Sequence, residues 1–287
     1  MAKNWQKYVN LTRINRPTGI FLLALPCFFG VFFAFSGKIG QNWDKIGQFC
    51  LFFALGSIIM RSAGCVINDI FDQKFDREVA RTKSRPLASG DLKTSQALIL
   101  LAVLLILGLV ILLQFSPKTI IGGVLALILV VFYPLMKRIT FYPQIFLGVV
   151  FNFGILLASL EIKGQIDFAT IALYGAAIVW TLIYDTIYAF QDIEDDMKIG
   201  VKSSAIALGK SPKRSLSYLV IFLGFLLFLA GFLHKMADSY YFFAILPIFY
   251  LLCLIKKCDF KNPQNCLQVF KKNTVVGALI MLAIAFG

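Results

Sequence analysis

Nine apolar runs, at about 19–35, 46–67, 96–115, 119–136, 141–160, 168–190, 216–233, 240–255 and 274–287, constrain this chain more than any other feature. A helix needs about 20 residues to cross a hydrocarbon core of about 30 Å, and most of these runs have that length. Helices are the expected form because they satisfy their own backbone hydrogen bonds where no water is present. The spacing therefore predicts an all-α integral membrane protein with nine transmembrane helices, a single polytopic domain over residues 1–287. The last run is short and is expected to begin nearer Phe270. Composition agrees: 59% of the 287 residues are hydrophobic, 29 are Phe, and only 15% are charged.

The net charge of +13 excludes less than it first suggests. Nucleic-acid binding calls for a continuous basic face, whereas the 28 Lys and Arg here lie between apolar runs. Of these, 22 fall in the N-terminal lead-in and in the loops after the even-numbered runs, against 5 on the other side. By the positive-inside rule the N-terminus faces the cytoplasm. Lys3, Lys7, Arg13 and Arg16 precede the first run with no small-residue cleavage site after it, so that run reads as a retained span. The six cysteines show no CxxC spacing and read as packing residues, and His234 is the only histidine, which leaves no imidazole metal site.

Two polar blocks interrupt the apolar pattern. The first, RSAGCVINDIFDQKFDREVARTKSRPLASG from Arg61, places Asn68, Asp72 and Asp76 at i, i+4 and i+8. On a helix these drift only about 40° per step and line one stripe. Arg77, Arg81, Lys83 and Arg85 follow, then Pro86 and Gly90. The second block, YDTIYAFQDIEDDMKIGVKSSAIALG from Tyr184, places Asp185, Asp192 and Asp196 at i, i+7 and i+11, within about 40° of one another on one helix face. Lys198 and Lys202 come after it.

Ionisable groups at membrane depth are costly and usually face a bundle interior or a wet cavity. If the two blocks face each other, their oxygens suit Mg²⁺, which keeps waters and takes further ligands from substrate phosphates. The trailing bases then suit a diphosphate. A diphosphate leaving an allylic carbon produces a delocalised cation, which calls for a dry apolar wall and aromatic faces, here Phe151, Phe153, Tyr188 and Phe190. Arg61, two turns before Asn68, is expected to meet an acidic partner or a substrate phosphate. A carrier of cations or anionic metabolites also uses intramembrane carboxylates and remains the second reading.

These blocks resemble the UbiA family of intramembrane prenyltransferases. NDIFDQKFD is similar to its NDxxDxxxD motif, and YDTIYA followed by DIEDD to its DxxxD motif; RPTG at Arg16, RTKSRPLASG at Arg81 and MKRITFYPQ at Met136 extend the likeness. MKRITFYPQ points to the hydroxybenzoate branch. The chain departs from that branch at FNFGILLAS, where a Trp and a Pro are usual, and at Ile193, where an Arg is common. The resemblance implies nine helices around a central cavity, and transfer of a polyprenyl group from polyprenyl diphosphate to 4-hydroxybenzoate. It implies Mg²⁺ as cofactor, held by Asn68, Asp72, Asp76, Asp192 and Asp196, with the four aspartates also catalytic. Arg81, Lys83, Arg85, Lys198 and Lys202 would bind substrate, with Arg61, Tyr188, Asp69 and Asp185 as further contacts. Arg138 would recognise the benzoate carboxylate, while Lys137 beside it reads as a membrane-surface anchor. A lipid bilayer is the implied surrounding, with no obligatory protein partner. Naphthoate, homogentisate or haem would be alternative acceptors for the same chemistry.

Overall fold

The computed structural model describes residues 2–209 and 211–287, and all the regular structure in it is helical. A short helix α1 (Ala2–Thr12) leads through Arg13, held at a left-handed φ of 57°, into α2 (Thr18–Ala34). Then come α3 (Trp43–Glu78), α4 (Thr94–Leu112), α5 (Pro117–Ile139), α6 (Pro143–Phe151), α7 (Phe153–Lys163) and α8 (Phe168–Ala189). Two short helices, α9 (Ile193–Ile199) and α10 (Ser204–Leu208), precede α11 (Pro212–His234), α12 (Asp238–Lys257) and α13 (Pro263–Ala285).

The starts are written locally. Pro117, Pro143, Pro212 and Pro263 open α5, α6, α11 and α13, at positions where a missing N–H costs nothing. Ser116 caps α5, and Asp167 caps α8 by accepting from the Thr170 amide. The last run thus starts at Pro263 rather than near Phe270, giving a helix of 23 residues.

Among the described residues, eight helical stretches are long and apolar enough to cross a membrane, counting α6 and α7 as one. The ninth expected span, α2, has 17 residues, or about 25 Å, and falls short of that length. The 141–160 run is not one helix: it breaks at Asn152. The Asn152 side-chain amide donates to Gly148 O at 2.7 Å, Ala177 O at 3.1 Å and Thr181 Oγ1 at 2.8 Å. A backbone break at this depth is tolerable because it is buried in protein.

Burial sorts the helices. In α8, 14 of 22 residues are buried, whereas in α4 only Ala97 is. So α8 forms the centre, packed on α6, α11 and α13, and α4 lies at the rim with an apolar outer face suited to lipid. Helix α2 packs on α7, α3 and α13; a Cβ on Gly154 would lie 2.3 Å from Cys27 Sγ, so glycine permits the α2–α7 approach. The 36 residues of α3 span about 54 Å, far more than the hydrocarbon core needs, so its acid-bearing C-terminal turns emerge at one membrane face.

Candidate active site

A cavity of about 1180 Å³ opens beside those turns of α3. Phe53, Gly56, Ser57, Met60, Arg61, Gly64, Asn68, Asp72, Phe75, Asp76 and Val79 all line it, single residues or adjacent pairs recurring once per turn to give one continuous face of the helix. The expected acid stripe is therefore the mouth of a longer stripe whose deeper part is apolar.

The second block reaches the same cavity by a different route. Helix α8 ends at Ala189, and Asp192 stands at the N-terminus of the separate helix α9, with Asp196 inside it. The unbroken helix expected from Asp185 to Asp196 is therefore not found. The turn instead brings Asp185, Asp192 and Asp196 to the cavity lining from two elements, together with Tyr188.

Arginine joins the blocks. Arg81, in the loop after α3, donates through Nε to Asp192 Oδ1 at 2.7 Å, through Nη2 to Asp192 Oδ2, and through Nη1 to Tyr188 OH at 2.9 Å. The two-pronged contact with a carboxylate uses the planar guanidinium fork. Burial alone would lower the pKa of Arg81, but the bonds to Asp192 outweigh it and hold the group above its ordinary value. The Ala80 amide also donates to Asp195 Oδ2 at 3.1 Å. Burial, reinforced by the neighbouring Asp192 charge, pushes Asp196 up to about 7.

The other acids of the first block are paired as well. Lys137, at the end of α5, bonds Asp72; Arg85 bonds Asp76 at 2.8 Å and Asp69 at 3.2 Å; Arg13 also bonds Asp69. Among the described residues, five carboxylates and eight Lys or Arg side chains line the cavity, an excess of positive charge that favours an anionic guest. Among the described residues, no three acids stand close enough to hold a metal by themselves. The donors nevertheless fit a hard divalent cation: all are oxygens, they come from both blocks, and Asp72 Oδ1 is buried with no hydrogen-bond partner.

Several expected site residues lie elsewhere. Arg138 is exposed outside the cavity lining, with its guanidinium 5.1 Å from the Phe75 ring centroid and donating to Phe71 O at 3.1 Å. Lys137, read as a surface anchor, is the cavity residue instead. Asp69 is buried beneath the mouth between Arg13 and Arg85; Lys83 and Lys198 are exposed, and Phe190 packs on Phe260 away from the lining. Lys202 does line the cavity, donating to Ile139 O at 3.2 Å. Arg61 has no carboxylate within ion-pair distance among the described residues, so of its two expected partners, an acid or a substrate phosphate, the acid is not found. Its Nη1 donates to Cys65 Sγ at 2.8 Å and its guanidinium lies 5.5 Å from the Phe151 ring centroid. A Cβ on Gly19 would stand 2.6 Å from Arg61 Nε, so the RPTG glycine makes room for that guanidinium. Arg13, Arg16, Tyr133, Tyr184 and Lys271 also line the cavity and were not anticipated as site residues.

The model of the UbiA prenyltransferase family matches residues 23–281. The chain belongs to this family. The mitochondrial 4-hydroxybenzoate polyprenyltransferase of Schizosaccharomyces pombe is 39% identical over 99% of this chain and 80% of its own length. The human mitochondrial 4-hydroxybenzoate polyprenyltransferase is 39% identical over 98% of this chain and 75% of its own. 4-Hydroxybenzoate geranyltransferase 1 of Lithospermum erythrorhizon is 38% identical over 100% of this chain and 92% of its own. Among solved structures, a UbiA homologue from Aeropyrum pernix K1 superposes with a TM-score of 0.73 at 20% identity, covering 92% of this chain and 96% of that one. A UbiA homologue from Archaeoglobus fulgidus, bound to DMAPP and Mg²⁺, superposes with a TM-score of 0.67 at 18% identity over 97% of both chains. These structural likenesses establish the UbiA fold: an all-helical membrane bundle around a cavity.

Proposed function

We propose that this protein transfers a polyprenyl group from polyprenyl diphosphate to the ring carbon ortho to the hydroxyl of 4-hydroxybenzoate, giving 3-polyprenyl-4-hydroxybenzoate in ubiquinone biosynthesis. The observation that carries the reading is the meeting of both acid blocks, through Arg81 and Asp192, at the mouth of a deep apolar cavity. The full-length likeness to 4-hydroxybenzoate polyprenyltransferases supports the acceptor.

Asn68, Asp72, Asp76, Asp192 and Asp196 would hold Mg²⁺, which when bound neutralises charge building on the diphosphate as its C–O bond breaks. Arg81, Arg85, Lys137 and Lys202 stand among those acids and would grip the phosphate oxygens. Arg61, deeper and without an acid, would take the acceptor's carboxylate. Phe151 and Tyr188 line the cavity and would stabilise the allylic cation through their rings, while the apolar wall below would exclude water. The ring carbon then forms the new C–C bond and loses its proton. We place the mouth on the cytoplasmic face of a bacterial inner membrane, following the bias of Lys and Arg between the spans.

The test is direct. Protein in proteoliposomes, given Mg²⁺, a polyprenyl diphosphate and 4-hydroxybenzoate, yields 3-polyprenyl-4-hydroxybenzoate by mass spectrometry. No product, beside an active hydroxybenzoate prenyltransferase assayed in parallel, overturns the proposal. Competition with a naphthoate and with homogentisate checks the acceptor.

A further inference from the structure

A carboxylate inside a membrane bundle is costly, and one that no neighbour pairs calls for a use. Of the carboxylates in the cavity lining, Asp72, Asp76 and Asp192 are bonded to Lys137, Arg85 and Arg81. Asp196 stands one turn from Asp192 in α9, among the groups that would hold Mg²⁺. Asp185 is set apart from these. It lies in α8, one turn or about 6 Å before that helix ends at Ala189. Its side chain has neither a hydrogen-bond partner nor a cation within ion-pair distance among the described residues.

Two cations act on Asp185 without bonding it, Arg61 and Arg81. Arg81 lies toward the mouth, where it donates to Tyr188 OH, one turn beyond Asp185 on α8. Arg61 lies deeper, eleven residues or about 16 Å before Asp72 along α3. Asp185 is therefore the lining carboxylate that stands between the arginine of the mouth and the arginine of the depth.

The same two arginines frame the acceptor. 4-Hydroxybenzoate carries its carboxylate and its hydroxyl at opposite ends of the ring. With the carboxylate on Arg61 and the donor's diphosphate on Arg81, the ring carbon beside the hydroxyl falls between them, at the level of Asp185. That carbon supplies the electron pair of the new C–C bond, while the diphosphate leaves with the pair of the broken C–O bond. The ring is then a cation, with hydrogen and the prenyl chain on one tetrahedral carbon. Aromaticity returns when the C–H pair goes back to the ring and a base takes the proton.

We infer that Asp185 is this base: its carboxylate accepts the ring proton, becomes a carboxylic acid, and passes the proton on to water. The inference rests on the prenyl-transfer reading above. Tyr188, the other polar group at this level of α8, already accepts from Arg81.

The experiment compares the wild type with Asp185→Asn, which keeps the shape of the side chain and removes its basicity. Both are assayed in proteoliposomes with Mg²⁺, a polyprenyl diphosphate and 4-hydroxybenzoate, either unlabelled or deuterated at both carbons ortho to the hydroxyl. Ionisation of the donor is followed separately, by migration of an oxygen label from the bridging to the terminal positions of the diphosphate. The expected result is a fall in kcat of about 10²–10³-fold in Asp185→Asn, with a deuterium effect larger than the wild type's and with label migration retained. Asp185→Glu, which restores a carboxylate, recovers part of the rate. A variant that merely loses a positioning contact shows a raised KM for 4-hydroxybenzoate or a slower rate with the deuterium effect unmoved, and either result overturns the base. Loss of label migration in Asp185→Asn also overturns it, because the side chain then acts on the donor. Absence of both product and label migration in the wild type overturns the prenyl-transfer reading and the base with it, whereas product from a wild type whose Asp185→Asn variant is equally fast overturns the base alone.

Discussion

At the cavity mouth, Arg81, Lys137 and Arg13 reach acids 111, 65 and 56 residues away in the chain, whereas at the opposite end Lys163 pairs with Asp167 one turn on. Both sets are ion pairs at the ends of apolar helices. The mouth pairs draw on α3, the loop after it, α5, the start of α9 and the link between α1 and α2, and gather at one cavity; the far pair joins neighbouring helix ends and caps α8. Burying so many charges in a shared space is a poor way to gain stability. It is a sound way to hold a charged guest, because pairs of this kind can exchange one partner for another. The far end shows what a purely local ion pair looks like in the same molecule.

If that contrast is right, substitutions at the mouth remove activity more than stability. The largest effect is expected from Asp72→Ala and from Asp192→Ala, each lowering kcat on the order of 10²–10³-fold while the protein stays monodisperse in detergent. Near-normal turnover in either variant would separate the two blocks and leave one of them ornamental to the chemistry. Arg81→Lys comes next. Lysine keeps the charge but not the fork, so kcat/KM is expected to fall by about 10–100-fold. A double-mutant cycle of Arg81→Lys with Asp192→Asn should give a coupling of ~0.5–3 kcal/mol, and additivity would show that the blocks do not act as a unit.

A sharper cut runs between two adjacent residues. Lys137 bonds Asp72 in the cavity lining, and Arg138 lies over Phe75 outside it. Lys137→Met is expected to lower kcat/KM for the diphosphate donor by about tenfold, the cost of one charge-assisted contact, and Arg138→Met to change it less than about twofold. The reverse order, in initial-rate assays at saturating 4-hydroxybenzoate, would return the site role to Arg138.

These two residues also mark how far the amino-acid pattern could be read. The stripe through Asn68, Asp72 and Asp76 was legible because α3 is one long helix, and helical spacing then dictates a shared face. Neighbours on a helix point about 100° apart, so choosing between Lys137 and Arg138 needs the face that α5 turns to the cavity. That face runs through Leu127, Val130, Tyr133, Pro134 and Lys137, and counting back in threes and fours from Lys137 would have exposed it. Phe190 failed for the same reason, lying two residues, or about 200°, from Tyr188. The end of α8 was harder: no Gly or Pro stands at 190–192 to announce it, and the break depends on tertiary contacts to Arg81 and Ala80. At Asn152 a lone amide in an apolar run was the only local hint.

The smallest effect is expected at the far end, and it tests the local half of the comparison. The Asp167 carboxylate is partly buried, which alone would raise its pKa. Hydrogen bonds from Lys163 and Thr170 outweigh that and bring it down from 3.8 to about 2. The folded protein therefore binds this proton less readily than the unfolded chain does. Its contribution to stability is complete above about pH 4 and is lost as the pH falls through about 2. Asn caps a helix about as well as Asp, so Asp167→Asn keeps the bond to the Thr170 amide and removes only the charge. The variant should lose less than about 1 kcal/mol at neutral pH, because the pair is partly open to solvent, and its thermal midpoint should fall less steeply than the wild type's between pH 4 and pH 2. Prenyl transfer should be unaltered. A loss of activity in Asp167→Asn with the thermal midpoint unchanged would mean that the two ends are coupled, and that the distinction between a convergent and a local ion pair fails in this molecule.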